Sequence, residues 1–245
     1  MGESSLTSDW LARRADLAPC PNCHLRSLCL ISAIEPQHLK AVSGHIKVLK
    51  PLRRGDVIYR AGAPTRKLFI VHAGAAKTSL NWHGGHEIIC DYHLPGDTLG
   101  LDGLHTGLHT TTSVALETTH LCELNRESLG QLASGHPVLR ERLCQDISRA
   151  LARSQRHQLE ISAKTAEQRL ACFLLDLSTR LHARGYSPSA FRLPLGRHEI
   201  AKHLGMRTET LSRLLAGLRK KGFLSLEGRE VRLLQQDRLR GLAGN

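Results

Sequence analysis

Between His45 and Leu124 the apolar residues of this chain fall in short alternating runs broken by glycine; from His136 onward they recur at steps of three and four. That change of period constrains the fold more than any single residue does. A period of two sends alternate side chains to opposite faces of a strand, whereas a period near 3.6 gathers them on one stripe of a helix. The runs HIKVL, DVIYR, KLFIVHAG, EIICDYHLPGD and VALETTHLCEL therefore predict strands. Turn signals stand between them at Arg54-Gly55-Asp56, Ala61-Gly62, Gly84-Gly85 and Pro95-Gly96-Asp97. Short strands at this spacing predict a compact antiparallel β domain.

The helical part divides in two. Cys144, Ile147, Leu151, Ser154, Gln158 and Ile161 repeat at heptad spacing and predict a helix paired across a dimer seam. A second stripe, Leu143, Ile147, Ala150, Ser154, His157 and Ile161, fits nearly as well, so the sequence leaves the register open. The plain alternative is a helix packed only on its own β domain. After Lys164, residues Ala166, Leu170, Phe173, Leu174, Leu177 and Leu181 form one apolar helix face. Two shorter helices, around Arg197–Leu204 and Thr208–Lys221, are split by Gly205. Leu224, Leu226, Val231 and Leu233 then frame a tight turn at Glu227-Gly228-Arg229. This pattern is a helix-turn-helix followed by a β-hairpin wing. The organisation expected is α+β: a polar arm and cysteine loop over 1–29, a β domain over 30–135, a long helix over 136–163 and a winged helix-turn-helix over 164–245.

Charge points to the partner of the last part. The chain carries a formal +12. Residues 164–245 hold sixteen Lys/Arg against seven Asp/Glu, while the first 163 residues hold eighteen against fifteen. A basic helix-turn-helix fits double-stranded DNA. In the helix from Thr208, Leu211, Leu214, Leu215 and Leu218 make the buried face, and Glu209, Ser212 and Arg213 cluster opposite it near the N-terminal end. A recognition helix presents that end to base edges, where Arg reads guanine, Glu accepts from cytosine and Ser serves several bases. Lys202, Arg207, Arg219, Lys220 and Lys221 are placed to hold phosphates, with Thr208 in the same DNA-facing set. No apolar run approaches the roughly 20 residues that span a bilayer. The first twenty residues lack an apolar signal-peptide core. A cytoplasmic protein with no membrane partner is expected.

Seven cysteines in a reducing compartment argue for metal or redox chemistry rather than disulfides. Cys20, Cys23 and Cys29 crowd into the run CPNCHLRSLC. Thiolates select zinc, copper(I) or iron–sulfur clusters, and three ligands are one short of the usual four. Cys20 to His24 also spells the C-x-x-C-H haem attachment signature. That reading leaves Cys29 unexplained, lacks an export signal, and has only Met1 and Met206 to offer as a distal ligand. Zinc is the stronger competitor, because fifteen histidines are available to complete a site. Cys90, Cys144 and Cys172 lie in apolar, regular segments and read as small core residues.

Over nearly its whole length the chain resembles the fumarate-and-nitrate-reduction (FNR) type oxygen regulators of the cyclic AMP receptor protein superfamily. The residues that carry the likeness are Cys20, Cys23 and Cys29 with Cys122 of ALETTHLCEL, the LPGD turn, and ETLSRLL in the last long helix. The resemblance implies a β-roll (cyclic-nucleotide-binding-like) sensor domain, a dimerisation helix and a winged helix-turn-helix. It implies one [4Fe-4S] cluster on Cys20, Cys23, Cys29 and Cys122, which oxygen converts, dissociating the homodimer. It matches Glu209, Ser212 and Arg213 to the base-reading positions for palindromic TTGAT-like half-sites. A contact with RNA polymerase is expected through β-domain loops around Gly84 and Gly85, and no catalysis is expected. The chain also departs from the pattern. Thr111-Thr112-Ser113-Val114 offers no arginine where nucleotide-binding relatives hold a phosphate, so no cyclic nucleotide is expected. Ser154 stands where well-studied relatives carry aspartate, Arg207 stands at the expected helix cap with Thr208 as the substitute, and His24 follows the second cysteine. Two other function classes compete: a zinc-stabilised constitutive DNA-binding protein, and a metal-dependent redox enzyme, for which no nucleophile–base motif stands out.

Overall fold

The structure, a computed structural model, describes Cys20, Cys23, Leu25 and residues 27–38, 42–82 and 86–244. The expected arm at 1–19, His24 and the Gly84-Gly85 turn lie outside the described residues. The chain forms two compact units that divide between Ser154 and Gln155.

In the first unit eight strands form two antiparallel sheets: β1 (Ile46–Val48), β2 (Val57–Tyr59), β3 (Lys67–Ala73), β4 (Ala76–Trp82), β5 (His86–His93), β6 (Thr98–Leu99), β7 (Thr112–Ala115) and β8 (His120–Asn125). One sheet runs β1-β8-β3-β6, the other β2-β7-β4-β5. The alternation read from the sequence sets the two faces of β3. Leu68 and Ile70 enter a core with Leu30, Ile31, Ile34, Leu124 and Leu139. Phe69 and Val71 enter the other, with Tyr59, Leu99 and Leu121. The first core matters for the cysteines. A 3-10 turn, Leu30–Ala33, follows Cys29 directly. Leu30 and Ile31 are fully buried against the sheet, each worth roughly 1.5–3 kcal/mol. The same core takes Leu129 and Leu132 from helix α1 (Arg126–Gly135).

Helix α2 (Pro137–Ala163) opens with proline at its first position, where the missing N–H costs no hydrogen bond. Its Leu139 and Leu143 pack on the cysteine-side core. The chain's division falls within this helix, earlier than the 163/164 boundary expected, because the segment after Ser154 packs on the second unit. His157 stacks on His203 with ring centroids 4.3 Å apart. A Cβ at Gly205 would come within 3.3 Å of Ile161 Cδ1.

Helix α3 (Ala166–His182) starts on a capping box in which the Thr165 hydroxyl accepts from Gln168 N–H and the Gln168 side chain accepts from Thr165 N–H. Its Leu170, Phe173, Leu174, Leu177 and Leu181 are buried. Helices α4 (Arg197–His203) and α5 (Thr208–Lys220) follow. They are joined across Gly205, whose φ of +58° only glycine adopts freely. Strands β10 (Leu224–Glu227) and β11 (Glu230–Leu233) form the wing. Elements not read from the sequence include helix α1 in the first unit and, in the second, β9 (Ala190–Arg192), which extends the wing by pairing with β11, and α6 (Gln236–Ala243). Among the described residues no helix is long and apolar enough to cross a membrane.

Candidate metal centre and DNA interface

Cys122 lies on β8, the strand flanked by β1 and β3, opposite Val48 on one side and Ile70 on the other. Its side chain therefore points from a framework paired on both edges. Cys20, Cys23 and Cys29 come from the loop that leads into the buried Leu30–Ala33 turn. All four line one cavity of about 390 Å³, counted out to its open mouth, with Leu25, Ile31, Ile46, Ile70, Val71 and His72. Among the described residues no three Cys, His, Asp or Glu side chains converge closely enough to hold a single ion.

Three of these thiols are pushed up by their surroundings. Burial first, then the charges of Cys20, Cys23 and Cys29, push the Cys122 thiol up to about 12. Burial pushes Cys29 up to about 11, against a hydrogen bond from the Ile31 backbone; Cys23 and Cys20 add to the rise and the Arg142 guanidinium opposes it weakly. Burial and Cys23 also raise Cys20. Cys20, Cys29 and Cys122 therefore favour the neutral thiol, and a cation among them would favour the thiolate.

His72 was not singled out in the sequence. Its Nδ1 lies 3.8 Å from Cys23 Sγ, and it follows Leu68 and Ile70 along β3 at a spacing of two, which is the signal that would have found it. Of the cysteines read as small core residues, Cys172 is buried and Cys90 is half-buried. Cys144 corrects that expectation: it is exposed on α2, because the helix turns Leu143 rather than Cys144 toward the core.

On α5, Glu209 and Arg213 are exposed and Ser212 is half-buried near the N-terminal end. Leu211, Leu215 and Leu218 are buried, and Leu214 is half-buried. Arg207 occupies the N-cap position without a side-chain cap, so Thr208 is the first helical residue and not the cap. Lys202 and Thr208 are half-buried, and Arg207 and Lys220 are exposed. Lys221 Nζ is 2.7 Å from Glu167 Oε1, which commits it within the protein.

The two stripes of α2 separate by exposure. Cys144, Ile147, Leu151, Ser154, Gln158 and Ile161 are exposed at every position, with Ile147 at 40% and Leu151 at 58%. Leu143, Ala150 and His157 of the other stripe are half-buried.

A further polar site lies in the β domain. Asp102 Oδ2 accepts from the backbone N–H groups of Thr110 and Thr111, both at 2.9 Å, and from their hydroxyls at 3.1 and 2.9 Å. Its Oδ1 faces His109 Nδ1 at 3.3 Å, and the Tyr59 ring stacks on His109 at 3.8 Å. Burial disfavours the carboxylate, yet the bonds from Thr111 and His109 hold it below its usual range.

Residues 49–136 match the cyclic nucleotide-binding domain and residues 168–242 match the Crp-like helix-turn-helix domain. The chain is 40% identical to "Transcriptional activator protein FnrA" of Stutzerimonas stutzeri, over 93% of each chain. The chain belongs to the Crp/FNR family. It is also 34% identical to "Fumarate and nitrate reduction regulatory protein" of Escherichia coli, over 92% of this chain and 90% of that one. Among solved structures, FixK2 of Bradyrhizobium japonicum aligns with a TM-score of 0.74 at 29% identity, covering 80% of this chain and 96% of that one. As a Crp/FNR member the chain is a DNA-binding transcription regulator and not an enzyme. Its nucleotide-binding-like domain and its helix-turn-helix are the two parts of the fold described above.

Proposed function

We propose that this regulator senses oxygen through one [4Fe-4S] cluster held by Cys20, Cys23, Cys29 and Cys122, and binds palindromic TTGAT-like half-sites as a homodimer in the cytoplasm. The observation that carries this reading is the ring of four cysteine sulfurs around one cavity with apolar walls. Four thiolates around one cavity suit a cubane. When bound, the cluster supplies a centre that oxygen alters. Everything else is done by the chain. Cys122 anchors the strand side, and the three loop cysteines tie the loop to it. Leu25, Ile31 and Ile70 wall the cavity and exclude water and oxidant. Cluster loss would release the loop beside α2, whose exposed stripe from Cys144 to Ile161 is the proposed seam. Glu209, Ser212 and Arg213 would read bases, with Lys202, Arg207, Thr208 and Lys220 on the backbone. RNA polymerase would be met by loops near Gly84 and Gly85.

Cyclic nucleotide plays no part in this reading. The Thr110 and Thr111 N–H groups and hydroxyls that would receive an anion already hold the chain's own Asp102 carboxylate.

The test is purification without oxygen. About four irons and matching sulfide per chain are expected. Serine at Cys20, Cys23, Cys29 or Cys122 should abolish the cluster, and serine at Cys90, Cys144 or Cys172 should leave it. One zinc per chain, bound equally well in air, would overturn the sensing part and leave a zinc-stabilised DNA-binding protein.

A further inference from the structure

We propose that Arg142 is the positioning residue that ties the order of the cysteine loop to helix α2. The inference rests on the cluster reading only for what orders the loop. Arg142 Nη2 donates to the Leu28 carbonyl at 2.5 Å. That carbonyl belongs to the residue before Cys29. The same guanidinium places Nε 3.3 Å from Asp146 Oδ1, one helical turn onward, an ion pair and not an aligned hydrogen bond. Asp146 is held in turn by the Thr98 hydroxyl at 3.4 Å and by Arg149 at 3.1 Å. The two charged side chains are only 16% and 13% exposed.

Leu28 is fixed from the opposite side as well. A side chain at Gly96 of the LPGD turn would come within 2.9 Å of Leu28 Cβ. Leu28 N–H and Cys29 N–H both donate to the Leu25 carbonyl, at 2.9 and 3.0 Å. The loop is thus clasped between the β-domain turn and one arginine of the helix. A guanidinium this far out of water needs its acceptors, and a departing loop takes one of them away. Arg142 and Asp146 alternate along the helix with Cys144 and Ile147 of the exposed stripe, so whatever fixes the pair fixes the start of that stripe. The apolar contacts of Leu30 and Ile31 with Leu139 also join loop to helix. They have no direction and tolerate sliding. The Arg142–Leu28 hydrogen bond has a defined geometry that is made or broken, and the ion pair with Asp146 holds its donor on the helix.

Arg142→Met keeps the stem and removes the donors. Two measurements test it. Hydrogen exchange of residues 27–34 in the protein as purified without oxygen should quicken in the variant, whatever metal the wild type holds. In the cluster-loaded protein iron content should match wild type, while the dimer dissociation constant rises about tenfold, or about 1.4 kcal/mol. The cluster-free dimer constant should not change, and Arg142→Lys should recover part of the loss. A purely structural role would weaken loaded and free dimers equally, and that result overturns the proposal. Unchanged loop exchange overturns it too. Should Arg142→Met not fold, Asp146→Asn is read in the same way. A wild type without iron removes the cluster reading, and the exchange measurement then decides the clasp alone.

Discussion

A carboxylate leaves water only where other donors replace it, and Asp102 has its replacements within hydrogen-bond reach. Its folded pKa lies below the ordinary 3.8. Below that ordinary value the unfolded chain binds the proton first, so the contribution is present above it and is lost as pH falls through the folded pKa. Asp102→Asn should cost about 2 kcal/mol at pH 7, in line with hydrogen bonds to a charged group. It should also flatten the fall in stability between pH 5 and pH 3. Urea midpoints of wild type and variant across that range give the answer; parallel slopes would show that Asp102 is not held as a carboxylate. At this scale the sequence was legible where residue type and spacing carry the chemistry. Cys20, Cys23 and Cys29 announce a thiolate site by crowding, whereas Cys122 came from the family likeness. The partners of Asp102 and Arg142 were not legible. Several of them are backbone groups brought together by sheet and helix packing, and a backbone group has no letter in the sequence.

Elements were readable in proportion to their periodicity. Helix α5 repeats leucine at three and four residues, so its buried and exposed faces follow from counting. That separation supports one test. Arg213→Ala should cost roughly 1–3 kcal/mol at a specific site and relax the preference at one base pair. Lys220→Ala should weaken binding to all sequences and reduce the salt slope. Titrations on matched and scrambled duplexes at two salt concentrations distinguish them; a preserved half-site preference in both variants would move recognition to another helix. Strand β9 and helix α6 were missed because they carry little pattern of their own. The strand is three residues between Pro188 and Pro194, and the helix buries only Leu239 and Ala243. The register of α2 was undecidable for a different reason. Two stripes spaced by threes and fours share half their members, and only what packs beside the helix separates them. Leu143 meets the β-domain core and His157 meets His203, which leaves the Cys144–Ile161 stripe exposed.

For the whole molecule, control of the proposed homodimer would turn on how strongly its two seams hold when nothing orders the loop. Ser154 is exposed on the stripe and is the last residue of the first compact unit. The family likeness implies an aspartate there, and two carboxylates meeting across a two-fold axis would repel. Serine removes that opposition. The cluster-free protein should therefore dimerise more readily than Ser154→Asp. The difference should be modest, on the order of 1 kcal/mol, because a like-charge pair partly open to water is strongly screened. Polar Gln158 below it still weakens the seam, so dependence on the loop is retained. Basic charge adds a second brake: with a formal +12 per chain, two copies repel until DNA or salt neutralises them, and added salt should tighten the free dimer. Sedimentation of cluster-free wild type and Ser154→Asp, at matched concentration and two ionic strengths, separates these effects. The salt response belongs to both proteins, whereas the offset between them belongs to position 154 and should shrink as salt rises. Identical association constants at low salt would mean that Ser154 does not face its mate, and that the exposed stripe of α2 is not the seam.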